Sequence, residues 1–354
     1  MARPSLPRKA SFSRGPTPAQ HAGLVCLGVM LGLLAAEIGC RLLHAKPWYQ
    51  GLVEAPEGPT EAVHLNSLGL RDIDYASPKP SGVKRVLFLG DAVTFGAGMP
   101  RDDATFPELV ERRLVGALRE QEHEVEVLNG GRPGSLTGDW LREFTRVAPL
   151  FQPDVVIAVF FLRDGASRNS MADFFGAIRN GIVRRNEESA LYRHSALWRS
   201  FRDGLDQRQV ASDYVRALNL AFIGDEKQRH EWLKAEENLQ KIASATVEMG
   251  ARFGLVVFPL LADLDQDPYP FDRIGRLVAQ FGHEQAWPTL DLLPTFLGQD
   301  ARTLWVSPTD QRPNELAHRV AADAIVPFVK TLLDRSMAPA PGAAPGEPTG
   351  YPQA

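Results

Sequence analysis

The chain has 354 residues, of which 44% are hydrophobic and 23% are charged, and its formal net charge is −4. This composition is typical of a globular protein, and neither the charge nor any dense basic run predicts nucleic-acid binding. The only cysteines, Cys26 and Cys40, both lie in an N-terminal apolar stretch. A disulfide framework or a cysteine-based zinc site in the rest of the chain is therefore excluded, and we predict no metal and no cofactor.

A basic segment and then an apolar stretch begin the chain. Residues 1–21 contain three arginines, one lysine and no acidic residue, and every residue of 22–36 is apolar or glycine. About 20 such residues cross a bilayer, and basic residues favour the cytoplasmic side. We therefore predict a transmembrane helix over 22–43, a cytoplasmic N-terminus and an exported remainder, periplasmic or extracellular.

Three alternatives compete with a membrane anchor. The stretch could be a cleaved signal peptide, a lipoprotein signal acting through Cys40, or a buried or interfacial helix. Glu37 interrupts the apolar run. Because a carboxylate is costly within lipid, we expect Glu37 to face a partner helix.

Strand and helix patterns alternate after a proline-rich connector at 44–83. Predicted strands lie at 84–89, 125–128, 154–161, 254–258 and 289–292, and predicted helices at 139–147, 231–250, 271–281 and 314–333. A further helix begins at a capping box formed by Thr105 and Glu108. The alternation predicts a three-layer α/β/α sandwich with a mainly parallel sheet over 84–334.

Two segments interrupt this pattern. Residues 166–232 are predicted to form a helical insertion, and 335–354, rich in proline and alanine, a disordered tail. The aromatic residues of the insertion have two interpretations. They either pack as core against the main domain or line a sugar-binding groove.

Four polar or glycine-rich segments, 90–98, 129–135, 161–165 and 307–318, follow predicted strands or precede the last helix. In parallel α/β folds, sites form beyond the carboxyl ends of the strands, so these segments are expected to meet there. They read "GDAVTFG", "NGGRPGS", "FLRD" and "PTDQRPNELAH" at their informative positions.

In this order the four segments resemble the blocks of the SGNH hydrolases, or GDSL-type esterases, over residues 64–334. "NSLGLRD" at 66–72, with an apolar stretch upstream, is similar to anchored members. The resemblance implies an SGNH, flavodoxin-like fold and activity on ester bonds. It places Ala92 where the family has its nucleophilic serine and Arg312 where it has its histidine. Arg163 stands where it has an oxyanion-binding asparagine.

Other family positions are retained. Asp91 and Thr94 of the first block are present, and so is an acid at Asp310. The second block supplies Asn129 and Gly134, and the resemblance makes Gly134 the expected oxyanion donor. We expect Thr94 and Asn129 to brace the loops by hydrogen bonds.

The substitutions remove the chemistry of an acyl-enzyme mechanism. Alanine has no nucleophilic atom, and an arginine, which stays protonated, cannot act as a base. We predict a pseudoenzyme with a ligand-binding or scaffold role in the cell envelope, which the resemblance makes glycan-related. The alternative is an ester hydrolase or O-acyltransferase acting on polysaccharide or peptidoglycan acyl groups through a non-standard site, such as a Ser135–His318 pair.

The arginines allow two hypotheses. Arg163 and Arg312 could converge to bind a carboxylate, phosphate or sulfate group, or each could form an ion pair with Asp164 or Asp310. These two aspartates could instead form a carboxylate pair or hold the loops by hydrogen bonds. The predicted partners are accordingly a membrane, a glycan or acidic small molecule, and an envelope protein.

Overall fold

The computed structural model describes residues 17–43, 63–118, 124–166, 176–307 and 310–337. Residues 1–16 of the predicted basic segment, 44–62 of the predicted connector and 338–354 of the predicted tail lie outside these residues, whereas 335–337 continue the last helix. The chain forms two compact units, one from Met1–Gln50 with Ala177–Val210 and the other from Gly51–Gly176 with Ala211–Ala354.

The second unit is built on a five-stranded parallel sheet. Its strands are β1 (Val83–Gly90), β2 (Glu124–Gly131), β3 (Val155–Phe161), β4 (Arg252–Phe258) and β5 (Thr289–Asp291). They lie in the order β2-β1-β3-β4-β5, and each neighbouring pair is parallel. All seven residues of β3 are buried, as expected for a strand covered on both faces. The predicted sheet is confirmed.

The helices are α1 (Pro18–Leu43), α2 (Ala92–Phe95), α3 (Phe106–Leu118), α4 (Thr137–Phe151), α5 (Arg184–Glu188), α6 (Ala190–His194), α7 (Ala196–Ile223), α8 (His230–Glu248), α9 (Asp272–Glu284), α10 (Leu293–Phe296) and α11 (Glu315–Met337). A short antiparallel pair, β6 (Trp305–Ser307) and β7 (Asp310–Pro313), precedes α11. Helix α3 packs against α11, and α4 packs against α8. The sheet lies between helices, which makes the unit a three-layer sandwich.

Aromatic side chains fill the core beside β3. The ring of Phe160 makes edge contacts with Trp140, Phe222 and Trp232, whose ring centroids lie 5.6–6.4 Å away. Phe222 and Trp232 belong to the predicted insertion and are fully buried. For these two residues, the core interpretation is confirmed.

The segment predicted as a connector is partly core. Asn66, Leu70, Arg71 and Asp72 are all buried, and the amide oxygen of Asn66 accepts hydrogen bonds from the backbone of a tight turn. The domain therefore begins before residue 84. The prolines that exclude a long helix do not exclude buried irregular structure.

The first unit contains α1, α5, α6 and the first part of α7. Helix α1 is long and apolar enough to cross a membrane, so it is a candidate membrane anchor by length and composition. Buried Asp206 on α7 accepts hydrogen bonds from Arg185, Asn186 and Arg202, which holds α5 against α7.

Candidate functional site

The first site loop follows β1 and contains the one-turn helix α2. Asp91 accepts a hydrogen bond from the backbone N–H of Val93 at 2.8 Å, and Gly96, with φ 77°, ends the turn. Ala92 is the first helical residue and is half-buried. The position that the resemblance gives to a nucleophile therefore presents a methyl group.

Glycines allow this turn to lie directly on the sheet. A Cβ at Gly131 would lie 2.2 Å from the backbone nitrogen of Phe95, and one at Gly90 would lie 2.0 Å from Oγ1 of Thr94. Only residues without a side chain fit at these two strand ends. The close contact brings the 129–135 loop beside the 90–98 loop, as predicted.

Arg71, which lies in the segment predicted as a connector, holds the first loop in place by hydrogen bonds. Its guanidinium donates to the carbonyls of Gly96 and Met99 at 2.7 and 2.9 Å and pairs with Asp102 at 2.6 Å. The side chain is buried and lies over the ring of Phe95. The motif "NSLGLRD" was the available signal, but sequence reasoning gave Arg71 no role.

Asp72, the next residue, supports the second loop. Its carboxylate accepts hydrogen bonds from the backbone N–H of Asn129 at 2.8 Å and from the hydroxyl of Tyr75 at 2.9 Å. Burial raises the pKa of Asp72 to about 7. This residue was also missed, because an acid in an irregular segment has no periodic pattern that indicates burial.

Asn129 and Thr94 differ in how they support the loops. The amide oxygen of Asn129 accepts from the N–H of Gly131 at 3.0 Å, which confirms the predicted bracing role. The hydroxyl of Thr94 is fully buried and has no hydrogen-bond partner among the described residues. Thr94 therefore supports the turn by packing, and the prediction of a bracing hydrogen bond is wrong for this residue.

A buried carboxyl pair lies under the first and third loops. Asp164 hydrogen-bonds to Asp91, and both side chains are almost fully buried. Burial raises the pKa of both groups, and the charge of Asp91 raises that of Asp164 further. The raised pKa of Asp164 favours its protonated form beside Asp91. Our hypothesis of a carboxylate pair named the wrong partner, since Asp310 is paired elsewhere.

Arg163 lies at the edge of this carboxyl pair. Its Nη2 is 3.8 Å from Oδ2 of Asp91, and the guanidinium lies 5.5 Å from the centre of the Phe161 ring. The side chain remains 47% exposed. Arg163 therefore does not pair with Asp164 or Asp310, as the ion-pair hypothesis expected, and among the described residues it donates no hydrogen bond.

Arg312 is fixed by Asp310. Its Nε lies 2.8 and 3.0 Å from the two carboxylate oxygens, and Nη2 forms a further hydrogen bond to Oδ2. A Cβ at Gly98 would lie 3.4 Å from Cζ of Arg312, so the first loop leaves room for the guanidinium. For Arg312 the ion-pair hypothesis is confirmed.

Ser135 and His318 do not form a catalytic pair. The Ser135 hydroxyl is held by the carbonyls of Arg132 and Gly90 and by the indole N–H of Trp140. His318 is buried, and its Nδ1 accepts from the N–H of Phe106 at 3.1 Å. Burial lowers the pKa of His318 to about 3.

The same contact corrects the predicted capping box. Phe106 is the first residue of α3, so an imidazole accepts one of the free N–H groups at the start of this helix. The Thr105 hydroxyl instead donates to the carbonyl of Asp102.

Gly134 lies at an exposed turn with φ 70°. Its assignment as an oxyanion donor stays a prediction. Together the loops form a strand-end site where the methyl group of Ala92, the Arg312–Asp310 ion pair and the half-exposed guanidinium of Arg163 lie. A guanidinium exposed in this way can hold an anion.

No family model matches the chain, and no curated protein matches it. Solved structures do match it. One is a protein from Desulfitobacterium hafniense assigned to the G-D-S-L family of lipolytic proteins, with 12% identity over 69% of this chain and 99% of that chain and a TM-score of 0.40.

Two others are a catalytic mutant of the acetylxylan esterase Axe2 from Geobacillus stearothermophilus and the lipase/acylhydrolase from Enterococcus faecalis. Axe2 is 17% identical over 70% of this chain and 94% of that chain, with a TM-score of 0.42. The Enterococcus protein is 16% identical over 70% of this chain and 96% of that chain, with a TM-score of 0.40. The five-stranded parallel sheet and its surrounding helices establish the α/β sandwich on their own. The three solved structures above are proteins to which the chain is similar.

Proposed function

We propose that the chain is a membrane-anchored, non-hydrolytic protein of the cell envelope that binds an acidic, glycan-related ligand at its strand-end site. The observation that carries this proposal is the two-oxygen ion pair between Asp310 and Arg312. It fills the position of a catalytic base with a group that cannot accept a proton. Ala92 removes the nucleophile at the same site.

Binding is supported by the state of Arg163. Among the described residues, only the carboxylate of Asp91 lies within 4 Å of its guanidinium, at 3.8 Å, and about half of its side chain is exposed. Asp91 also hydrogen-bonds to Asp164 and accepts from the backbone N–H of Val93, so its carboxylate has partners other than Arg163. A guanidinium in this state is free to form a two-point contact with a carboxylate or phosphate.

The hydrolysis half of the proposal is tested on the full chain in non-ionic detergent with a small acetyl ester. We expect the rate to equal that of heat-denatured protein, because loss of triad residues lowers turnover by about 10⁴–10⁶ in serine hydrolases. A variant carrying Ala92→Ser, Arg163→Asn and Arg312→His is measured beside it for regained turnover. Hydrolysis by the unaltered chain well above the denatured control would overturn the proposal.

The binding half is tested with polygalacturonate and its methyl-esterified, uncharged form. We expect the full chain to bind only the acidic polymer and Arg163→Ala to weaken this binding about tenfold or more. Arg276→Ala removes an exposed arginine of α9 and serves as the matched control. Equal binding by the two arginine variants would contradict a role for Arg163.

A further inference from the structure

Glu37 connects the candidate anchor to the start of α7 within the first unit. Its carboxylate accepts hydrogen bonds from the hydroxyl of Ser195 and from the backbone N–H groups of Ala196 and Leu197, at 2.8–2.9 Å. These N–H groups have no partner within their own helix, so Glu37 caps α7 from another element. The partner helix expected for Glu37 is thus present in the same chain.

Arg41 makes a second connection at the same level. Its Nη2 donates to the carbonyl of His194 at 2.7 Å, at the end of α6. If about 20 residues from Ala22 onward cross the hydrocarbon, the span ends near Arg41. Glu37 then lies about 6 Å inside that boundary, at a rise of 1.5 Å per residue. The junction of α6 and α7 is therefore fixed at the level where acyl chains meet headgroups.

The elements held at this level present apolar side chains to the outside. Leu191 is 63% exposed, Trp198 38%, Phe201 56% and Leu205 41%. Positions 198, 201 and 205 follow helical spacing on one face of α7, and the rings of Trp198 and Phe201 lie 5.7 Å apart. Large side chains exposed together in this way are typical of an interaction surface.

The same segment is basic. Residues 177–210 contain seven arginines and four acidic residues, whereas the whole chain has a net charge of −4. Asp206 forms ion pairs with Arg185 and Arg202, and Glu188 forms one with Arg184. Among the described residues, Arg193 and Arg199 have no carboxylate partner, and they are close in sequence to Leu191 and Trp198. Arg199 lies over the Tyr192 ring and donates to the carbonyls of Tyr192 and Arg193. Arginine beside exposed aromatic and leucine side chains fits an anionic bilayer surface.

From the Glu37 connection, the apolar face and the local charge, we infer that α6 and the first part of α7 form a second membrane contact. Leu191, Trp198, Phe201 and Leu205 insert at the headgroup level of an anionic bilayer, the one that α1 crosses. The inference rests on the anchoring role given to α1 under the proposed function. The occupant is lipid because the apolar face belongs to the same compact unit as the candidate span.

The test uses full-length chains with one cysteine each, labelled with a fluorophore and reconstituted in vesicles of phosphatidylcholine and phosphatidylglycerol. One chain keeps Cys26 in α1 and carries Cys40→Ala. Two others carry Cys26→Ala and Cys40→Ala with either Phe201→Cys or Val247→Cys. Val247 is 65% exposed on α8, outside the apolar face, and is the matched exposed control. Lipids brominated at different depths quench from within the bilayer, and iodide quenches from water.

We expect deep bromines to quench Cys26 and shallow bromines to quench position 201. Iodide quenching at 201 should be at least about threefold weaker than at 247, because interfacial helices are buried about 5–10 Å into the headgroup region. If Cys26 is quenched and 201 behaves like 247, the interfacial contact is wrong while the anchor stands. If Cys26 is not quenched, the proposed anchoring itself fails, and the inference fails with it. Protection of 201 that depends on protein concentration, without bromine quenching, would assign the face to a second copy and also overturn the inference.

Discussion

His318 shows how burial determines what a titratable side chain does. It lies six residues after Arg312, and its imidazole stacks on Phe106 and accepts that residue's N–H. Protonation would replace an acceptor with a donor that faces the N–H of Phe106, in a buried site. Burial also disfavours the charged imidazolium, and it lowers the pKa of His318 to about 3.

A pH-dependent contribution of His318 to stability follows. Its folded pKa is about 3 and its ordinary value is 6.5, so between these values the unfolded chain binds the additional proton. The contribution of neutral His318 therefore rises with pH across this window, by up to about 1.4 kcal/mol per pH unit. The free energy of unfolding, measured by urea denaturation of the full chain in detergent between pH 4 and 7, should rise less steeply for His318→Asn. His283→Asn, on the exposed face of α9, controls for removal of an imidazole. Parallel pH profiles for the unaltered chain and His318→Asn would contradict this prediction.

The contribution of Asp72 to stability changes with pH in the opposite direction to that of His318, so the two contributions can be measured separately. Burial raises its pKa from 3.8 to about 7, so the folded chain binds the additional proton and the contribution of Asp72 to stability falls between about pH 4 and pH 7. Asp72→Asn cannot ionise. Its free energy of unfolding relative to the unaltered chain should therefore increase with pH over this range. The slope is the readout, because lost hydrogen bonds to Ile73 and Asn129 give an offset that does not depend on pH. A constant difference across the range would show that Asp72 is ionised in the folded chain.

At the scale of elements, the site depends on how closely the first loop approaches the strand ends. The pairing of β1 with β2 places Gly90 opposite Gly131, and α2 lies directly over both residues. The loop geometry is therefore set by backbone contact, and Arg71 and Asp72 hold it from the other side.

Replacing Gly131 should disturb this arrangement far more than replacing a glycine elsewhere. We expect Gly131→Ala to lower the free energy of unfolding by about 3 kcal/mol, the upper end of the usual range for overpacking, since the added methyl overlaps backbone atoms that cannot rotate away. Gly116→Ala is the matched control on the exposed face of α3, where a Cβ meets nothing within 4 Å. There alanine should stabilise the helix by about 1 kcal/mol. Similar melting temperatures for the two variants would contradict the packing argument.

Elements with strong periodicity were predictable, and contacts between distant segments were not. The apolar runs of β1, β3 and β4 gave the parallel sheet, because strands buried on both faces leave a clear pattern. Asp310 and Arg312 are two residues apart in the chain, so their ion pair could be predicted from the local sequence. The Asp91–Asp164 pair and the clamp by Arg71 join segments far apart in sequence, and a single sequence carries no signal for such pairings. Proline content likewise suggested a connector where the structure has buried side chains.

At the scale of the whole molecule, the chain divides into two compact units, and the contacts of Glu37 belong to the smaller one. A leucine at position 37 suits a lipid-spanning helix better than a glutamate does. Retaining an acid there is explained by its three hydrogen bonds to the start of α7.

Replacing Glu37 should therefore loosen one unit and leave the other unchanged. In Glu37→Leu, we expect the amides of residues 190–205 to exchange with deuterium several-fold faster, because the first turn of α7 loses its acceptors. The amides of β4 should exchange as in the unaltered chain, since this strand lies in the core of the second unit. Hydrogen exchange read by mass spectrometry on the full chain in detergent measures both regions at once. Glu237→Leu removes an exposed glutamate from α8 and is the matched control. Unchanged exchange at 190–205, or an equal increase in β4, would show that Glu37 does not hold α7 in place. Either result would also remove the geometric basis for an interfacial surface at the junction of α6 and α7.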